Sequence, residues 1–85
     1  MFETVEELDG DAALRFERLR KLRTQLAREK GMPPYVICHD SVLKQIAARA
    51  PADTMALGQI KGMGPAKVTQ YGEAILAALR QETSE

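Results

Sequence analysis

Apolar side chains recur every three or four positions through most of this chain. Phe16, Leu19, Leu22, Leu26 and Ala27 keep that spacing and predict the buried stripe of a helix running from about Asp11 to Lys30. Asp11 is placed to cap its start, and Gly31 to end it. Arg18, Lys21, Gln25 and Arg28 fall on the outer side, and Glu17 stands four residues before Lys21 as a pairing partner. Leu14 lies off the stripe, exposed or set against a neighbouring domain.

The period then breaks. Two prolines in Met32-Pro33-Pro34-Tyr35-Val36-Ile37 predict an extended crossing, because the residue before each proline is pushed out of the helical region. Val36 and Ile37 would anchor it to the core, with Tyr35 on a stiff backbone. A second helix is expected from His39 or Asp40 to Arg49, ending before Pro51, with Val42 or Leu43, Ile46 and Ala47 inward. Asp53 or Thr54 would cap a short third helix, Met55 to Gln59. A fourth would run from Pro65 to about Tyr71, be broken or kinked at Gly72, and be followed by a fifth over about 73–81 with Ile75, Ala78 and Leu79 inward. No alternating strand pattern occurs.

Between the third and fourth helices lies Ile60-Lys61-Gly62-Met63-Gly64-Pro65-Ala66-Lys67. Glycine is the low-cost residue for a positive φ or a close approach, and proline suits the first position of a helix. The stretch reads as helix, tight turn, helix, with Leu57, Ile60, Met63 and Val68 inward. The next helix would begin with the backbone N–H groups of Gly64, Ala66 and Lys67 unpaired. Such a start, with Lys61 and Lys67 beside it, can hold a phosphate, Gly62, Gly64 and Ala66 supplying the backbone. It also serves as a plain packing joint, and with Pro65 removing one donor the joint comes first and the phosphate contact is auxiliary.

Composition narrows the function. The 85 residues are 45% hydrophobic but only 5% aromatic, with no tryptophan, which suits one small all-helical unit. Twelve basic residues balance twelve acidic ones, which counts against a strong whole-surface nucleic-acid binder. The distribution is uneven. Residues 1–11 carry five acids and no bases, residues 12–30 carry seven bases and two acids, and the remainder is balanced. An acidic leader, residues 1–10, therefore adjoins a basic helix, and residues 82–85 read as a tail.

Catalytic chemistry finds little material. His39 is the only histidine and Cys38 the only cysteine. Adjacent in sequence, they point to different faces, and together they cannot build a zinc site. His39 reads as a cap or surface residue, Cys38 as a core filler, and Asp40 and Asp53 as helix caps. The N-terminus is no signal peptide, and no apolar run is long enough to span a bilayer. Neither catalytic residues nor cofactor nor metal is expected. Tyr35 could stack on an unpaired base, or lie over the core with its hydroxyl in water.

Taken in order, Leu19 to Leu26, Pro33-Pro34-Tyr35-Val36-Ile37, His39-Asp40 with Leu43, Pro51, Ile60-Lys61-Gly62-Met63-Gly64 with Lys67, and Tyr71-Gly72 resemble an HRDC domain, the helical module of RecQ helicases and ribonuclease D. The resemblance covers roughly residues 14–81 and is closest to the bacterial RecQ version. It implies an all-α, five-helix bundle containing a helix-hairpin-helix-like turn. It also implies a non-catalytic accessory role in binding single-stranded or branched DNA for a helicase of the bacterial cytoplasm. The loop after the first helix, here Tyr35, is the implied contact. Arg20, Arg23 and Lys44, together with Lys61 and Lys67, are inferred as its basic company. The expected partners are DNA and the helicase core of the same chain, for a monomer without membrane contact. Docking on the core, or service in a ribonuclease D-like protein, are the alternatives. Cys38 stands where the family often has an aromatic residue, which would reduce the stacking surface.

Overall fold

The computed structural model describes residues 10–80; residues 1–9 of the acidic leader, the expected end of the last helix at 81 and the tail over 82–85 lie outside the described residues. Five helices follow in order: α1 (Gly10–Lys30), α2 (Pro34–Ile37), α3 (Asp40–Arg49), α4 (Thr54–Gly58) and α5 (Pro65–Arg80). No strand occurs among the described residues. α1 packs against α2, α3 and α5, and α4 packs on α5. The core holds Phe16, Leu19 and Ala27 of α1, Ile46 and Ala47 of α3, Leu57 of α4, and Ile75 and Leu79 of α5. Leu22 and Leu26 are half-buried at its edge, and Leu14 is exposed.

The ends of the helices follow from local chemistry. Gly31, at φ +66, closes α1 in a Schellman arrangement: Met32 N–H donates to Ala27 O at 3.0 Å and Gly31 N–H to Arg28 O at 3.2 Å. At the other end α1 takes in Gly10, so Asp11 sits in the first turn and favours the helix through its charge, not as the cap. Glu17 reaches Arg20 at 3.4 Å, three residues on, in place of the expected pairing with Lys21. α3 ends at Ala50 in the left-handed region before Pro51. Asp53 caps α4 by accepting from Ala56 N–H at 2.9 Å. Asp53→Ala is expected to lower stability by ~1 kcal/mol, read as a fall in the urea midpoint at unchanged slope.

Two expectations are corrected. The segment after the first two prolines is not extended throughout, because Pro34–Ile37 forms one helical turn. The pre-proline rule acts on Pro33, which is extended at ψ 148, while Pro34 takes the first helical position, where a missing N–H costs nothing. Gly72 does not break the last helix either, since α5 runs unbroken through it. A Cβ there would sit 3.3 Å from Val68 Cγ1 and 3.6 Å from Thr54 Cγ2, so the glycine lets α5 approach α4 closely. The five helices therefore differ in membership from those expected: α2 is added, and the fourth and fifth are one.

Buried Tyr71 also belongs to the core, with the Lys30 ammonium 5.8 Å above its ring. Apolar spacing alone places Tyr71 only at a helix end.

Candidate nucleic-acid interface

α2 is too short to hold itself, and three contacts fix it. Pro33 and Pro34 restrict its entry. Lys67, from the first turn of α5, donates to Ile37 O at 2.8 Å. Arg23, from α1, donates through Nη1 to Cys38 O at 3.0 Å and to Asp40 Oδ1 at 2.7 Å. Two cations thus hold the carbonyls at the end of α2, where the helix dipole is negative and carbonyls lack partners inside the helix. Ile37 and Cys38 are buried beneath, while Val36 is 44% and Tyr35 61% exposed. The expected anchoring by Val36 and Ile37 is therefore carried by Ile37, with Cys38.

Tyr35 lies on α2, and His39 follows it across an extended step at Cys38. Their ring centroids are 6.3 Å apart, with planes inclined by 24°. His39 precedes α3 as its N-cap residue but gives no side-chain capping bond, and Asp40 is the first residue of α3 and not its cap. Pro34, Tyr35, His39, Asp40, Ser41 and Arg23 line one shallow depression. From the sequence His39 reads only as a cap or surface group. The four-residue spacing carried no helical pairing signal, because Cys38 and His39 are extended and the pair forms only through the turn of α2 followed by that extended step.

Cys38 is a core residue. Burial pushes its thiol above the ordinary range, the nearby Lys67 and Arg23 pull it partly back, and Asp40 adds to the rise. A thiol held protonated in an apolar wall is a poor nucleophile. A side chain at position 38 points inward, so an aromatic ring there would fill the core. Cysteine at this position therefore leaves the exposed stacking surface intact.

The other inferred contacts divide into two groups. Arg23 and Lys67 are engaged with backbone carbonyls, and the Arg23 side chain is only 12% exposed. Arg20 is exposed and paired with Glu17, Lys44 is half-buried, and Lys61 is exposed. On the outer side of α1, Arg20, Lys21, Thr24, Gln25 and Arg28 line a shallow cleft. Lys21, Gln25 and Arg28 belong to the outer side expected from the sequence, and Arg20 is the one inferred there as a DNA contact.

At the glycine turn, Gly62 has φ +98 and Gly64 accepts from Val68 N–H at 3.0 Å, opening α5. Met63, Ile60 and Leu57 are buried. The first-turn donors of α5, Ala66 among them, have no carbonyl within their own helix. A Cβ on Gly62 would fall 2.6 Å from Val42 Cγ2 of α3. The turn fixes α5 against α3, and α5 in turn delivers Lys67 to α2. Gly62 and Tyr35 are linked in this way through one side chain. Among the described residues no group of three or more His, Cys, Asp and Glu converges as metal ligands would, and no helix is long and apolar enough to cross a membrane.

The family model described as HRDC domain matches residues 13–79. The chain belongs to the HRDC domain family. An ATP-dependent DNA helicase RecQ of Bacillus subtilis is 38% identical over 65 residues, 76% of this chain and 11% of that protein. An ATP-dependent DNA helicase UvrD2 of Mycobacterium tuberculosis is 38% identical over 66 residues, 78% of this chain and 9% of that protein. The solved HRDC domain 3 of Deinococcus radiodurans RecQ superposes with a TM-score of 0.83 at 32% identity, covering 87% of this chain and 97% of that one. This HRDC chain spans about a tenth of the length of the curated relatives it matches. The resemblance read from the ordered motifs is thus borne out, as is the all-α, five-helix architecture with its hairpin-like turn.

Proposed function

We propose that this HRDC domain is a non-catalytic nucleic-acid contact of a RecQ-type DNA helicase, binding single-stranded or branched DNA weakly and helping to place the motor during repair or recombination in the bacterial nucleoid. The observation that carries this reading is Tyr35, 61% exposed on a helical turn that two prolines and two cations immobilise. An aromatic face held rigid in water can stack on an unpaired base, with little further ordering cost on binding. Arg20, Lys44 and Lys61 supply phosphate contacts, with the start of α5 at Gly62, Gly64 and Ala66 as an auxiliary one. Arg23 and Lys67 act chiefly by holding α2. The UvrD2 relatives widen the range of possible parent chains but keep the helicase class.

Anisotropy titrations of labelled single-stranded, forked and duplex DNA at two salt concentrations test this. With about three phosphate contacts, the slope of log K against log salt should be about −2 for single strands. Lys61→Ala should flatten it by about 0.7. Absence of binding at low salt overturns the reading for the isolated domain. RNA bound in preference to DNA of matched sequence favours the ribonuclease D-like alternative.

Leu14 at 57% and Met55 at 77% exposure favour a second reading, docking on the helicase core. In that case Leu14→Ser and Met55→Ser weaken association with a separately made core, and DNA affinity does not change.

A further inference from the structure

The depression beside Tyr35 is more specific than a bare stacking surface. Its rim carries two rings, Tyr35 and His39, 6.3 Å apart and both exposed. Its wall carries the Asp40 carboxylate, whose side chain is 69% exposed. A carboxylate has about four lone-pair sites. The Arg23 guanidinium takes one, on Oδ1 at 2.7 Å, and that bond also fixes where the carboxylate stands. Acceptor capacity remains on this carboxylate, and Asp40 lines the depression together with Ser41.

A carboxylate accepts and cannot donate. It disfavours a phosphate at this spot and repels the carbonyl oxygens of a base. It favours a base edge that presents N–H groups. Guanine alone presents two adjacent donors, N1–H and the N2 amino group, which can meet both oxygens of one carboxylate. Cytosine and adenine offer one amino group beside an acceptor, and thymine one N–H between two carbonyls. We propose that this depression is a base-reading subsite in which Tyr35 and His39 stack the base and Asp40 selects guanine. The inference rests on the single-strand reading above and adds a preference that stacking alone does not supply.

Binding is measured at low salt with three labelled probes: an oligothymidylate, the same strand with isolated guanines, and the same strand with isolated inosines. Isolated substitutions avoid guanine self-association, and inosine lacks the N2 amino group. The native protein is expected to hold the guanine strand about five-fold tighter than the thymine strand, at the weak end for a base contact because the site is open. The inosine strand should fall between them. Asp40→Asn should bring the guanine and thymine strands to equal affinity, since an amide both donates and accepts. His39→Ala should weaken all three strands alike.

Equal affinity of the native protein for guanine and thymine strands, with binding retained, overturns the base-reading subsite and leaves the single-strand reading standing. A guanine preference that survives in Asp40→Asn overturns the role of Asp40. No binding of any probe overturns both readings. The comparison of probes on the native protein needs no variant, so a folding defect in Asp40→Asn cannot shelter the proposal.

Discussion

Gly62→Ala is expected to lower the melting temperature by roughly 15 °C. Two independent terms act in the same direction. At φ +98 an alanine occupies a conformation that L residues adopt only at a cost of about 1–2 kcal/mol. Its Cβ would also lie 2.6 Å from Val42 Cγ2, a contact that requires side chain or backbone to move. Forced repacking of a close-packed site costs about 1–3 kcal/mol. The total, about 3 kcal/mol, is a large fraction of the stability of a small domain. Thermal melts followed by circular dichroism check it, with Gly64→Ala as the control. Gly64 has nothing within 4 Å of a built Cβ and no positive φ, so alanine there should be tolerated far better. Equal losses at both positions would mean that the turn is not held by the Val42 contact. Because α5 carries Lys67 to Ile37 O, a folded Gly62→Ala protein should also loosen α2.

The second large effect is on binding. Tyr35→Ala is expected to weaken single-stranded DNA binding by roughly ten-fold, within the range for loss of one base–aromatic stack. The melting temperature should stay within about 2 °C, since a side chain that is 61% exposed buries little on folding. Tyr35→Phe should keep most of the affinity, because the ring face and not the hydroxyl carries the stack. The salt slope should be almost unchanged in both variants, since neither removes a cation. A ten-fold loss accompanied by a flattened slope would instead place Tyr35 in a structural role, supporting the cations around it. Full affinity in Tyr35→Ala would move the contact elsewhere, the outer cleft of α1 with Lys21 and Arg28 being the next surface to examine.

The electrostatics of the domain depend on which cations are already engaged. Of the positions inferred as DNA contacts, Arg23 and Lys67 donate to carbonyls at the end of α2. Arg15, not considered from the sequence, donates to Ala47 O in the last turn of α3 at 2.8 Å. A favourable helix-end charge is satisfied each time by a side chain from another helix. Three basic residues therefore tie helices together, and the charge left for a polyanion is smaller than the basic count of α1 suggests. Weak, salt-sensitive binding is the expected consequence.

The sequence by itself determined the all-α class, the span of α1 and α3, the stop at Gly31 and most of the inward faces, and it narrowed the cap of α4 to Asp53 or Thr54. These are set by apolar period and by residues that act within one turn of their position. The ordered motifs also carried the family. Only the tertiary structure decided the rest. Pro34–Ile37 became a helical turn because Arg23, fifteen residues before Cys38, and Lys67, thirty after Ile37, hold its end. α5 runs through Gly72, whose missing side chain leaves room for Thr54 and Leu57 of α4. The Tyr35–His39 pair and the Asp40 wall exist only once that turn is made. Contacts between residues distant in sequence leave no periodic trace, so a pattern of hydrophobic and polar positions reveals which side of a helix is buried but not what is brought to meet it.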